Sequence, residues 1–263
     1  MNSSLSVVLI TKNNQDTIFE VTSALKGFGE VIVVDSNSTD KTVETIKKTI
    51  PKAKIFQKDF GQNIGLQRKY GLNYVTNDWV LLLDSDEIIS AELAKEIKST
   101  ISNPKLNDSA FEIPYQNYFL GRPVNYGGEN YKMTRLFRKD SLDIRPSILH
   151  NQLVVKKGRV KKLTGKIVHH SYRSLGQVYS KFTDYGVRMA EIKAEAGEKS
   201  SFRKIFLYPV HMFWARFIKD NGYRDGLFRI PLDLGFAYME WLTYTYLSIL
   251  NLKSKISKPK PQT

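Results

Sequence analysis

Asn77-Asp78-Trp79-Val80-Leu81-Leu82-Leu83-Asp84-Ser85-Asp86-Glu87 is the stretch whose residue types speak most directly of chemistry. An apolar run ends in three acids within four positions: Asp84, Asp86 and Glu87. The run is short enough for a buried strand and too short for a useful helix. A strand that releases carboxylates at its carboxyl end points them into the crevice where open α/β sheets bind ligands. Carboxylates this close repel one another unless a cation holds them. A hard divalent ion with oxygen ligands, Mg²⁺ or Mn²⁺, is the natural partner, and it can bridge to a substrate phosphate. An isolated Asp-x-Asp is more often an acidic turn, so the weight falls on the residues upstream.

Those residues alternate strand and helix patterns. Ser6 to Ile10 reads as a buried strand, followed by the polar loop Thr11-Lys12-Asn13-Asn14. Ile18, Val21 and Leu25 then recur at helical spacing, and Gly27 and Gly29 stop the helix. Val31 to Asp35 is a second buried strand ending in an acid. Ser36-Asn37-Ser38-Thr39-Asp40 is turn and cap chemistry before a helix with Val43, Ile46 and Ile50 on one stripe, closed by Pro51. A short strand over residues 53–56, a helix over 61–75 and the strand into the acids follow. Ser90 caps a further helix that runs through Ile101. Strands alternating with helices predict a parallel sheet with right-handed crossovers. The carboxyl ends of three strands then lie together, and a nucleotide site explains them best. Asp35 would serve base or ribose groups, and the later acids a metal on the pyrophosphate. No Gly-x-x-x-x-Gly-Lys-Ser/Thr loop is present, nor a Gly-x-Gly-x-x-Gly after the first strand, which argues against an ATPase and a dinucleotide-binding dehydrogenase.

From Ala110 to about His170 the texture changes to aromatics, glycines and short β-like runs such as Lys132 to Phe137. Antiparallel strands and substrate loops are expected there. After Leu175 the pattern is helical, and from Phe202 to Leu252 it is long, aromatic and amphipathic. Arg229, Asp233 and Glu240 interrupt the last apolar stretch, so an ordinary spanning helix is not expected. These helices either pack as core or lie in a membrane interface. The expected division is a catalytic domain over residues 1–200 and a helical extension with a basic tail over 201–263.

The 263 residues suffice for one catalytic domain with an appendage, and the absence of cysteine excludes disulfides, thiolate nucleophiles and zinc–thiolate sites. The start lacks the apolar and basic regions of a signal peptide, so a cytoplasmic location is expected. Net charge is +14, concentrated around Lys156 to Lys166 and in the tail from Lys253 to Lys260. Two basic clusters plus an aromatic end favour peripheral contact with an anionic membrane at its inner face. No recognition motif supports nucleic acid.

Val7 to Asn13, Val33 to Asp40 and Trp79 to Glu87 together resemble the family 2 glycosyltransferases of the GT-A fold. Within that family the likeness is to the lipopolysaccharide-core glucosyltransferase type. Gln67-Arg68, Arg135-Leu136-Phe137-Arg138, the His169-x-x-Tyr172-Arg173-Ser174-Leu175 segment and Asp225-Gly226 add to it. The resemblance implies a metal-dependent hexosyl transfer with inversion. The donor would be a nucleotide sugar, commonly a UDP-sugar, and the acceptor an envelope or lipid-linked glycan. It implies that Thr11 and Asp35 hold the nucleoside and that Arg68 approaches the base or phosphates. Asp84 would face the ribose or the metal's water shell, with Ser85 among the nucleotide-sugar contacts. Asp86 would bind Mg²⁺ or Mn²⁺, with His169 a third ligand. Related sequences carry His-Glu where this chain reads His150-Asn151, and Asn151 cannot take a proton. Glu129, between glycines and Asn130, is the substitute candidate for the base, with Glu87 and Asp143 as rivals. If no carboxylate substitutes, the chain is a catalytically weak sugar-nucleotide-binding protein or partner subunit.

Overall fold

The structure, a computed structural model, describes residues 5–60, 63–103, 105–145 and 152–256. The backbone divides into two compact units, one of Met1–Gln116 with Tyr131–His170 and one of Asn117–Asn130 with Ser171–Thr263. Residues 171–200, which the expected division placed with the catalytic domain, fall in the second unit.

The first unit begins as β1 (Leu5–Thr11), α1 (Ile18–Ala24), β2 (Glu30–Asp35), α2 (Thr42–Thr49), β3 (Lys54–Gln57), α3 (Ile64–Leu72) and β4 (Trp79–Asp84). The four strands are parallel in the order β3-β2-β1-β4. Every residue of β1 is buried, as a strand covered on both faces requires. Alternation sorts the sheet into two cores. Val7, Leu9, Val33, Leu81 and Leu83 face one, with Ile18 and Val21 of α1. Val8, Ile32, Val80 and Leu82 face the other. On that second face a Cβ at Gly71 of α3 would stand 2.6 Å from Val8 Cγ1, so glycine lets the helix lie against β1.

After the acids come β5 (Glu87–Ile89) and α4 (Ala91–Ile101), whose cap Ser90 accepts a hydrogen bond from Leu93 N at 3.1 Å. β6 (Asp108–Phe119) leads toward β7 (Arg122–Val124), which belongs to the second unit. β8 (Lys132–Arg138) runs antiparallel to both β4 and β6, the change of texture expected from the sequence. β9 (Leu142–Arg145) and β10 (Gln152–Val155) form a separate ribbon. β11 (Arg159–Lys162) pairs with β6, and β12 (Ile167–Tyr172) pairs with β5.

The second unit is helical: α5 (Leu175–Glu195), α6 (Phe202–Trp214) running into a π turn over Ala215–Lys219, and α7 (Ile230–Ile256). Phe119, Val124, Val178, Phe182 and Leu232 make its core, with Ala190, Tyr244 and Leu247 forming a smaller cluster. α5 and α7 contribute core residues, whereas α6 has none that is buried. Among the described residues no helix is long and apolar enough to cross a membrane.

Candidate active site

Parallel pairing puts Thr11 opposite Asp35, and Ile10 opposite Asp84. Three loops therefore leave one edge of the sheet on adjacent strands, with Asp35 and Asp84 separated by two strand spacings, about 10 Å. The loops are tied together. Asn13, at φ 52°, donates its N–H to Ser38 Oγ at 2.8 Å and accepts from Thr39 N at 2.8 Å. Asn14 N donates to Thr42 Oγ1 at 2.8 Å, and Gln15 N to Asp40 Oδ2 at 3.1 Å. Thr17 Oγ1 donates to the Ser85 carbonyl at 2.7 Å, and the Ser85 hydroxyl to Asn14 Oδ1. The loop after β1 is thus the clasp between the other two.

Within that frame Thr11 and Asp35 are buried. The Asp35 carboxylate accepts from Ser38 N at 3.0 Å, from the Ser38 hydroxyl and from Gln57 Nε2 at 3.1 Å. It shapes the turn that follows β2. Ser85 is likewise buried, with its hydroxyl held by Asn14.

The acids after β4 do not stand as three bare carboxylates. Arg68 Nη2, from α3, lies 2.7 Å from both oxygens of Asp84, where the resemblance sent Arg68 to the base or phosphates. Arg135 Nη2, from β8, donates to Asp84 Oδ2 at 3.1 Å and to Glu87 Oε1. Tyr115 of β6 donates its hydroxyl to Glu87 Oε1 at 2.7 Å and accepts from Arg135 Nε. Glu87 Oε2 accepts from Asp84 N at 3.0 Å, closing the turn. The cations that relieve the expected repulsion are two guanidiniums of the fold itself.

The electrostatics follow from that pairing. Burial works against ionising Asp84, but Arg68 and Arg135 outweigh it and hold the carboxyl well below its ordinary range. Burial pushes Glu87 up despite Arg135, and the same burial with Glu87 pushes the Tyr115 phenol far up. Burial opposes the charge on Arg135, yet Glu87 and Asp84 raise it well above its usual value. Arg68 Nε and Arg135 Nη1 are buried without a hydrogen-bond partner.

Asp86 differs from Asp84 and Glu87 in facing an imidazole rather than an arginine. His169 Nε2 of β12 lies 3.4 Å from Asp86 Oδ2, and Tyr131 Oη lies 3.4 Å from His169 Nδ1. Burial lowers the His169 pKa, but Asp86 reverses that and raises it above the ordinary histidine value. Among the described residues no group of three His, Cys, Asp or Glu side chains is arranged to hold a metal ion. That donor set suits Mg²⁺ or Mn²⁺ arriving with a nucleotide, because such ions take one or two carboxylates and complete their shell with water and phosphate oxygens.

The candidates for a base fare differently. Asn151 lies outside the described residues. Asp143 stands 3.7 Å from Lys156. Glu87 is buried among Arg135, Tyr115 and Asp84 N. Glu129 belongs to the second unit and is only 4% exposed. Its Oε1 accepts from Arg216 Nη2 and its Oε2 from Asn117 Nδ2 at 3.0 Å. Burial raises its pKa in spite of Arg216 and Arg229. The glycine rationale for Glu129 is corrected: Gly127, at φ +60°, makes room for Arg229, whose Nη2 would stand 2.1 Å from a Cβ there. Arg229 in turn pairs with Asp233 at 2.8 Å and Asp225 at 2.9 Å, and Arg216 with Asp233 at 3.1 Å. Glu129 is therefore one member of a buried ion network.

Tyr115, Asn14, Thr17 and the clamping role of Arg135 did not emerge from the sequence. One signal was available for Arg135, a charge inside the buried run Arg135-Leu136-Phe137 of β8. Tyr115 and Asn14 carry no such mark.

Similarity to known proteins was found at three levels. The family model described as glycosyl transferase family 2 matches residues 6–158. An uncharacterized glycosyltransferase of Rickettsia prowazekii is 29% identical over 95% of this chain and 89% of its own length. The lipopolysaccharide core biosynthesis glycosyltransferase LpsC of Rhizobium meliloti is 22% identical over 93% of this chain and 90% of its own. Among solved structures, S. aureus TarS superposes with a TM-score of 0.51 at 15% identity, covering 93% of this chain. This chain spans only 55% of that TarS chain. TarS 1–349 in complex with UDP-GlcNAc gives 0.50 at 17% identity, over 97% of this chain and 92% of that one.

Proposed function

The chain belongs to glycosyl transferase family 2 and has the GT-A fold, and from that premise we propose that it moves a hexose from a UDP-sugar, with inversion, to a hydroxyl of an envelope or lipid-linked glycan such as lipopolysaccharide core. The likeness to LpsC supports the envelope acceptor. The TarS complex with UDP-GlcNAc supports the uridine donor. A working position at the inner face of the membrane goes with such an acceptor.

One observation carries the reading. Of the three acids at the end of β4 and just beyond it, Asp84 and Glu87 are each paired with arginines of the fold, whereas Asp86, at the sheet's carboxyl edge, faces the imidazole of His169. Asp86, with His169 once deprotonated, would hold Mg²⁺ or Mn²⁺. The bound ion would stabilise the negative charge that gathers on the leaving diphosphate. Thr11 and Asp35 would bound the nucleoside pocket, with Ser85 fixing the loop beside it. Arg68 and Arg135 would place positive charge next to the phosphates while keeping Asp84 ionised and immobile. A positioned, preorganised set of charges costs no rearrangement when the glycosidic bond breaks.

A second reading is favoured by a different observation. Glu87 and Glu129, both considered as base, each hold an arginine. A chain without a carboxylate to take the acceptor proton would bind the nucleotide sugar and transfer it weakly. Transfer of labelled sugar from UDP-glucose and UDP-GlcNAc to deacylated envelope glycans decides between the two. Turnover that Asp86→Ala abolishes supports the transferase. Donor binding without turnover on any acceptor supports the binding protein.

A further inference from the structure

The outward side of α6 is apolar and exposed. Phe202, Phe206, Val210 and Trp214 recur every fourth residue and are 76%, 51%, 67% and 48% exposed. Leu207 at 54% and Ile218 at 47% widen the stripe. At 3.6 residues per turn these positions share one side of the helix. Single exposed apolar residues are ordinary, but a contiguous stripe of this kind marks an interaction surface.

The helix is held so that this side stays outward. At its start Ser201 Oγ accepts from Lys204 N, and Lys204 Nζ pairs with Glu198 at 2.7 Å. Ser200 Oγ donates to the Tyr244 carbonyl of α7 at 2.7 Å. At the far end, in the π turn, Arg216 pairs with Glu129 and Asp233 and stacks on Phe236, 3.4 Å from its ring centroid. Local π turns recur at functional sites. Here the turn carries Arg216 inward and leaves Trp214 and Ile218 outside.

Charge chooses the occupant. From Lys199 to Arg224 the one acid is Asp220, against Lys199, Arg203, Lys204, Arg216, Lys219 and Arg224. Lys204 and Arg216 are engaged in the ion pairs just described, while Lys199, Arg203, Lys219 and Arg224 are exposed at the two ends of the stripe. A second copy of the chain would bring these like charges together. Anionic headgroups would meet them with opposite charge, and the aromatic stripe suits the boundary between headgroups and acyl chains. With 13 residues the helix is about 20 Å long, too short to span a hydrocarbon core of about 30 Å but well sized to lie in its surface.

We propose that α6 is the membrane-docking element of this protein. Its stripe from Phe202 to Ile218 enters the acyl boundary of an anionic bilayer, and Lys199, Arg203, Lys219 and Arg224 lie among lipid phosphates. This deepens the membrane-face reading above and rests on it for the acceptor, but it is independent of the donor chemistry.

The test is co-sedimentation of the full chain with vesicles of phosphatidylcholine alone or mixed with phosphatidylglycerol, at low and high salt. Binding to the mixed vesicles is expected, weakening with salt. Phe206→Ser with Val210→Asp is expected to lower the partition coefficient at least tenfold, and Arg203→Gln with Lys219→Gln to remove most of the salt dependence. Unchanged circular dichroism and unchanged UDP binding would show that fold and donor site are intact in both variants. A blue shift of tryptophan emission on mixed vesicles, diminished in Trp214→Phe, is the independent readout. Equal partitioning of the wild type and the Phe206/Val210 variant would overturn the assignment. So would a dimer that Val210→Asp disperses, with no vesicle binding, since the face would then belong to a second copy. Vesicle binding without any nucleotide binding would instead leave α6 standing and remove the transferase reading.

Discussion

Arg68 Nη2 lies 2.7 Å from Oδ1 and 2.7 Å from Oδ2 of Asp84, joining α3 to the end of β4. The pair fixes Asp84 before any ligand arrives, and Arg135 fixes it again from β8 at 3.1 Å. Arg135 also holds Glu87, so two guanidiniums and two carboxylates form one cluster whose members fix each other in place. In the proposed donor site Asp86, at the same edge, would supply the anionic ligand a divalent ion needs.

The clamp also bears on stability. Arg135→Met would leave Glu87 buried beside Asp84 without its counter-charge, and breaking a buried pair costs about 3–5 kcal/mol. A lower urea midpoint with an unchanged slope is expected. Glu87→Gln added to Arg135→Met should recover part of the loss, because the remaining side chain needs no counter-charge.

Gly127→Ala should destabilise the second unit. Its φ is +60°, and the new Cβ would meet Arg229 Nη2 at 2.1 Å and the Arg216 carbonyl at 2.9 Å. Strain and overpacking together are expected to cost about 2 kcal/mol or more. Faster hydrogen exchange in α7 would report it, whereas Gly121→Ala, where a Cβ would meet nothing within 4 Å, tests the left-handed conformation (φ +76°) alone.

Glu198 sets an acid limit on the anchoring of α6. Hydrogen bonds from Lys204 and Lys193 hold its carboxyl down to about 2. A group depressed on folding contributes its full stability above its unfolded pKa of about 4.3, and loses it as pH falls through the folded value. The stability difference between wild type and Glu198→Gln should therefore be constant near neutrality and shrink between about pH 4 and pH 2. Urea midpoints across that window would show it, and a difference independent of pH would contradict the ion pairs.

Ser85→Ala removes the hydroxyl that bonds to Asn14 and leaves the Thr17 contact to the Ser85 carbonyl in place. A loss of about 1 kcal/mol is expected in stability, with weaker donor binding because the loop after β1 is less firmly set. Equilibrium unfolding and a UDP titration on the same variant separate the two effects.

The parallel half of the sheet was readable because each strand is a continuous apolar run bounded by turn chemistry. β1, β2 and β4 end at Thr11, Asp35 and Asp84, where the runs stop. Ser90 was readable as a cap because its hydroxyl precedes an apolar stripe. The clamp was not readable. Arg68, Tyr115 and Arg135 come from a helix and two antiparallel strands whose order in the sheet, β4-β8-β6, no local pattern encodes. The rationale for Glu129 failed for a related reason. Glycine signals close approach at Gly127 and Gly128, but not whether a ligand or, as here, the guanidiniums of Arg229 and Arg216 make it. For the C-terminal helices the aromatic pattern is the same in core and interface. Only packing distinguishes buried Tyr244 and Leu247 from exposed Val210.

Calorimetric titration of UDP into the wild type and Asp86→Ala, each with Mn²⁺, with Mg²⁺ and with chelator, bears most directly on the donor site. The expected result is uridine-selective binding that requires the metal and disappears in Asp86→Ala, while the circular dichroism of the variant matches the wild type. Binding of equal strength in chelator or in the variant would contradict the role given to Asp86, and no binding of any nucleoside diphosphate would contradict the donor site itself.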